Sequence, residues 1–138
     1  MPSVIILLMS IVFTNPLLGS ETEPPTLREV MRGLEKSLKK LDHGIFFEDF
    51  KLIKKSAMEI AIHPKPLGEL PKILKKLGKR APSFKGFDLK VHNAAKEMAE
   101  LASKKDMFGI LNKHSIMLKN CVGCHLQYRI EIASLLNN

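Results

Sequence analysis

The stretch DMFGILNKHSIMLKNCVGCHLQYRIEI, residues 106–132, reads as one long helix. Asp106 supplies an N-cap, and Leu111, Met117, Leu118, Cys121, Val122, His125 and Ile132 recur at helical spacing. Within it, Cys121-Val122-Gly123-Cys124-His125 has the pattern C-x-x-C-H, the attachment signal for a c-type haem. Two thiols three positions apart can both become thioethers to one porphyrin, and the next histidine then falls under the ring, where its imidazole can bind iron. These are the only two cysteines of the chain.

Three other readings compete. A thioredoxin-like redox pair needs a βαβ setting, and the sequence has none. A structural zinc site needs four ligands, and no second Cys/His pair stands at finger spacing. A tight disulfide between Cys121 and Cys124 leaves His125 without a role.

Upstream of this helix, the pattern is helical throughout. Thr26 and Glu29 have capping-box spacing, and Leu27, Val30, Met31, Leu34, Leu38 and Leu41 form a stripe. A first helix is expected over about 26–42, ended by His43-Gly44 with glycine in a left-handed cap. A second, over about 46–62, carries Phe46, Phe50, Ile53, Ala57 and Ile60 and stops before Pro64. Residues 64–83 contain Pro64, Pro66, Pro71 and Pro82 and read as a crossover; Leu70, Ile73, Leu74 and Leu77 suggest a short helix inside it. A third main helix begins between 83 and 88 and ends near 104, burying Phe87, Val91, Ala94, Ala95, Met98, Leu101 and Ala102. No stretch alternates with the period of a strand. The expected fold is all-α, an antiparallel up-down-up-down four-helix bundle, because the loops joining the first and last helix pairs are short.

A chain of 138 residues, 45% hydrophobic, suffices for one domain with a real core. Residues 1–20 carry no Lys, Arg, Asp or Glu, and Val4 to Phe13 is almost wholly apolar. That run is too short to span a bilayer and reads as the core of a signal peptide over 1–20, leaving a mature domain over 21–138. An uncleaved membrane anchor facing the periplasm is the alternative. Export suits C-x-x-C-H, since haem attachment of this kind is a periplasmic process in bacteria.

The net charge of +8 suits an acidic redox partner, although a solvated lysine coat explains it equally well. Nucleic acid fits poorly, with one Tyr and no Trp to stack on bases.

The helical rise places Met31, His63 and His92 near the level of His125, as possible sixth ligands to the iron; His43 and His114 lie too far away. Met31 is preferred because it belongs to the apolar stripe of the first helix, and thioether with imidazole is an established axial pair. Met31 as core filler, His63 as an exposed helix-end residue and His92 as a residue of a half-exposed face are the competing readings.

C-x-x-C-H followed by Leu126-Gln127-Tyr128-Arg129 on the last helix, together with Leu27-Arg28-Glu29-Val30-Met31-Arg32-Gly33-Leu34 on the first, resembles the cytochrome c′ and cytochrome c556 family. The similarity covers roughly residues 26 to 130. It implies a four-helix bundle with one covalent haem c near one end, His125 as the proximal ligand, and either Met31 on the iron or an open face that takes NO or CO. It implies further that Arg28 pairs with a haem propionate and that Arg129 stands beside His125. Family members often dimerise through their first two helices, where Ile45 and Phe47 are available here. The implied activity is one-electron carriage rather than enzymatic catalysis, with a five-coordinate gas-binding protein as the alternative.

Overall fold

Thr26 opens the first helix as its sequence suggests. A computed structural model describes residues 23–137, so the expected signal segment lies outside the described residues. Helix α1 spans Leu27–Phe46. The Thr26 hydroxyl accepts from the Glu29 N–H at 3.2 Å, and the Glu29 carboxylate accepts from the Thr26 N–H at 2.8 Å, so two otherwise orphaned donors are satisfied. Glu69, from the crossover, accepts a third from Leu27 at 2.6 Å.

The end of α1 differs from expectation. Gly44 is helical and buried, and a Cβ there would lie 3.0 Å from Ile53 Cγ1 and 3.1 Å from its backbone nitrogen. Its smallness permits a close approach of two helices, and the helix continues through Phe46. The left-handed residue is Glu48, with φ of 52°. Phe46 therefore ends α1 at 85% exposure instead of joining the stripe of the next helix.

Helix α2 spans Phe50–Ala61, with the Asp49 carboxylate accepting from Leu52 N–H at 2.9 Å. The short helix inside the crossover forms as α3, Leu70–Leu77. A 3-10 turn, Gly78–Arg80, leads into α4, Ala81–Ser103, which starts before the expected position because Pro82 is well tolerated in a first turn. Helix α5 spans Met107–Leu136, capped by Asp106 on Gly109 N–H at 2.9 Å. The described residues contain no strand. None of their helices is long and apolar enough to cross a membrane.

The four main helices form a helical bundle in which α1 packs on α2, α2 on α4, and α4 on α5. Leu41, Ile53, Ile60, Ala95, Met98, Ile110 and Met117 meet in the main core. Burying a side chain the size of Ile53 or Met98 contributes about 1.5–3 kcal/mol. Around one end, Ile73 and Leu77 of α3 pack with Tyr128 and Ile132 of α5, and Phe84, Phe87 and Leu27 lie against them. Between α1 and α5 the backbones approach only sparsely. Two polar contacts link them: His114 Nε2 to Asp42 Oδ1 at 2.8 Å, and the Arg28 guanidinium donating to Asn137 Oδ1 at 3.0 Å.

Candidate functional site

Little more than one turn of α5 carries Cys121, Cys124 and His125. Cys121 packs against the main core and Cys124 against the Tyr128 cluster, and both are free, half-buried thiols. Burial first, and then the charge of Asp88, raise both thiol pKa values, that of Cys124 to about 11. At neutral pH both sulfurs are therefore protonated. A reactive redox pair requires the opposite shift, so this setting disfavours thiolate exchange chemistry.

Gly123, between the two cysteines, lies against Phe87 of α4. A Cβ there would lie 2.9 Å from Phe87 Cε1, so any larger residue would displace that ring. Phe87 and Phe84 meet Tyr128 edge-on, at centroid distances of 6.3 and 5.5 Å. Arg80 stands 5.8 Å from the Tyr128 ring centroid and donates to both oxygens of Glu131. The motif is thus held on its inner side by an aromatic cluster.

His125 lies toward solvent on the other flank of α5. Partial burial and the nearby Arg129 charge lower its pKa, favouring the neutral imidazole that a metal ligand must be. Val122, 53% exposed, and Leu126, 83% exposed, surround it with unpartnered apolar surface.

Met31 does not point into the core. Val30, Ser37, Leu41 and Gly44 occupy the buried stripe of α1, and Met31 sits on its edge at 40% exposure, alongside half-buried Leu27, Leu34 and Leu38. The spacing that made Met31 look central holds equally for its neighbour Val30, which takes the inner place.

The Asp42–His114 contact sets a local register across the α1/α5 gap, and the Arg28–Asn137 contact lies nine residues off that register along the last helix. Met31 lies eleven residues before Asp42 and His125 eleven residues after His114. Eleven residues are about three turns and about 16 Å of rise, so each returns to the helix face that carries the bridge. Arg28 is occupied with Asn137, and Arg129 is exposed; among the described residues no carboxylate pairs with either.

His63 and His92 are placed together, away from the roles first considered for them. His63 is not an exposed helix end; its side chain is only 8% exposed. The two rings stack at 4.5 Å, and both face the carboxylate of Asp88, at 3.4 Å from His63 Nε2 and 3.3 Å from His92 Nε2. The facing carboxylate raises the pKa of His63 against the opposing effect of burial. Burial alone would raise the Asp88 carboxyl, but His63, His92 and Lys65 together hold it below the ordinary carboxylate range. This cluster was missed at the sequence level, although Asp88 and His92 are one turn apart on α4 and share a face. His43 packs at a tilt against Phe47, ring centroids 4.5 Å apart, at the far end of α1.

No family model, no curated protein and no solved structure matches the chain.

Proposed function

We propose that this chain is an exported monohaem c-type cytochrome acting as a one-electron carrier, built as an antiparallel up-down-up-down bundle with haem c near one end. The observation that carries the reading is the common eleven-residue offset of Met31 and His125 from the Asp42–His114 bridge. It supports Met31 of α1 and His125 of α5 as the residues that would hold the haem iron across the gap between those helices. The contacts at the two ends of α1, Arg28 with Asn137 and Asp42 with His114, support opposite directions for the two helices.

The residues present fit a haem in chemistry as well as spacing. Cys121 and Cys124 would hold it through thioethers, formed from the two free thiols of the C-x-x-C-H motif. His125 brings a neutral imidazole, and Met31 a thioether on a flexible stem that is not committed to the core. When bound, the haem iron supplies the ferric/ferrous couple. Val122, Leu126 and Met31 offer apolar surface to the group and exclude water from its edge. Arg28 and Arg129 place two positive charges beside the site, suited to propionate carboxylates.

The surplus of lysine suits docking on an acidic redox partner. The exposed Phe46 and Phe47, with half-buried Ile45, offer a surface for a homodimer at the α1/α2 turn. The periplasm is the compartment that goes with this chemistry, either for a cleaved soluble form or for one anchored there by residues 1–20. The 40% exposure of Met31 favours one rival, in which this residue leaves the iron and the open face binds NO or CO.

Covalent attachment tests the cytochrome reading. Co-expressed with a haem-attachment system, the wild type is expected to keep haem through a denaturing gel, and the double variant Cys121→Ser/Cys124→Ser to lose it. A wild-type chain without covalent haem would remove the basis of the proposal.

A further inference from the structure

Outside the α5 motif, His63, Asp88 and His92 form a cluster that electron carriage does not use. Their ligand atoms all lie within 4.8 Å of one another. The orientation of each ring is fixed from behind: His63 Nδ1 donates to Ile60 C=O at 2.9 Å, and His92 Nδ1 donates to Ala61 C=O at 2.5 Å. With each Nδ1 carrying its hydrogen, each ring turns its Nε2 toward Asp88, and a cation entering there would displace the proton that the carboxylate favours on His63. Histidines that bind metals are commonly oriented in this way, by a backbone carbonyl on the other ring nitrogen.

The distances point in the same direction. At 3.3 and 3.4 Å, the separations between Nε2 and carboxylate exceed those of a good charge-assisted hydrogen bond. The two rings face different oxygens of the one carboxylate, and one ligand atom from each residue falls within 4.8 Å, a span that a cation with bonds of about 2.0–2.2 Å would draw in to the ~3.3–3.5 Å edge of a tetrahedral site. Asp88 is 48% exposed, which gives an ion a route from solvent and leaves room for water as a fourth ligand.

We infer that His63, Asp88 and His92 form a binding site for a divalent transition cation of the zinc class, beside the C-x-x-C-H motif and sharing no ligand with it. Two imidazoles and one carboxylate are a donor set suited to Zn2+ and poorly matched to Ca2+ or Mg2+. Bound there, the cation ties His63, two residues past the end of α2 and immediately before the Pro64 crossover, to the first half of α4. Sequence spacing hid the site: 25 residues separate His63 from Asp88, and a turn, a short helix and a 3-10 segment lie between them.

Isothermal titration of the holo protein with ZnCl2, followed by dialysis and metal analysis, tests the inference. One zinc per chain is expected, with affinity reduced by about tenfold or more in Asp88→Asn and in His92→Ala. Asp88→Asn is nearly isosteric at a half-exposed position, so it decides the matter if a histidine variant fails to fold. The same titration on Cys121→Ser/Cys124→Ser separates this site from the cysteines and from the haem reading, because its zinc should be retained even without haem. Absence of zinc uptake, uptake indifferent to Asp88→Asn, or uptake lost with the cysteines would each overturn the assignment.

Discussion

The two flanks of α5 differ sharply. Toward α4 the helix is closed: Phe87 rests on Gly123, Tyr128 sits among Phe84, Phe87 and Arg80, and Met117 and Ile110 are lost in the core. Toward α1 it is open: Val122, His125 and Leu126 face outward, and α1 is reached through His114 and Asn137. Packing is closed on one side of α5 and sparse on the other, with the C-x-x-C-H residues at the boundary, which suits the proposal of a group held between the first and last helices. In such a bundle the closed flank maintains the fold, and the open flank is free to be specified by a ligand.

Two glycines give the largest expected contrast. Gly123→Val must displace the Phe87 ring and is expected to cost about 1–3 kcal/mol by chemical denaturation. Gly33, on the face of α1 opposite Asp42 and Met31, has nothing within 4 Å of a Cβ, so Gly33→Ala should instead stabilise by about 0.5–1 kcal/mol through helix propensity. Equal responses at both positions would mean that Phe87 does not close over Gly123.

The seam between α1 and α2 should answer to acid. Glu59 receives hydrogen bonds from Lys40 Nζ at 3.1 Å and Ser37 Oγ at 2.9 Å, and these hold its carboxyl below the ordinary value of 4.5. A carboxyl whose folded pKa is depressed contributes stability above its unfolded pKa, and the contribution is lost as pH falls through the folded value. The stability difference between wild type and Glu59→Gln should therefore be present at pH 7 and shrink steadily below pH 4.5. A difference independent of pH across that range would exclude the carboxylate as its source.

The smallest effect is expected at the bridge that sets the register. A double-mutant cycle on Asp42 and His114 should return a coupling of about 0.2–1 kcal/mol, the range of half-exposed ion pairs. A coupling of zero would leave the α1/α5 alignment to the Arg28 contact alone.

Much of the fold could be read from local chemistry. The capping box at Thr26, the Asp106 cap and the stripes of α2 and α4 each depend on residues a few positions apart, and they are where their patterns place them; α5 keeps only part of its expected stripe inside, with Leu111, Val122 and His125 exposed. The misreadings arose where a residue's role depends on a distant partner. Gly44 has the composition of a helix end, but Ile53 makes it a contact point. Met31 fits the apolar spacing of α1, yet Val30 occupies the core because α2 and α4 lie on that side. In the site, C-x-x-C-H is local and legible, whereas the convergence of His63 and His92 on Asp88 exists only once α2 and α4 are packed.

Electron carriage in the proposed form requires His125 and Met31 to meet on one haem iron across the open flank. The optical spectrum of the haem-loaded protein decides this, ferric and ferrous, with and without CO, recorded for wild type and Met31→Ala. The expected result is a low-spin wild type with a sulfur-to-iron charge-transfer band and no response to CO, and a CO-reactive Met31→Ala with haem still attached. A wild type that is high-spin and takes up CO, or a spectrum unchanged by Met31→Ala, would contradict it.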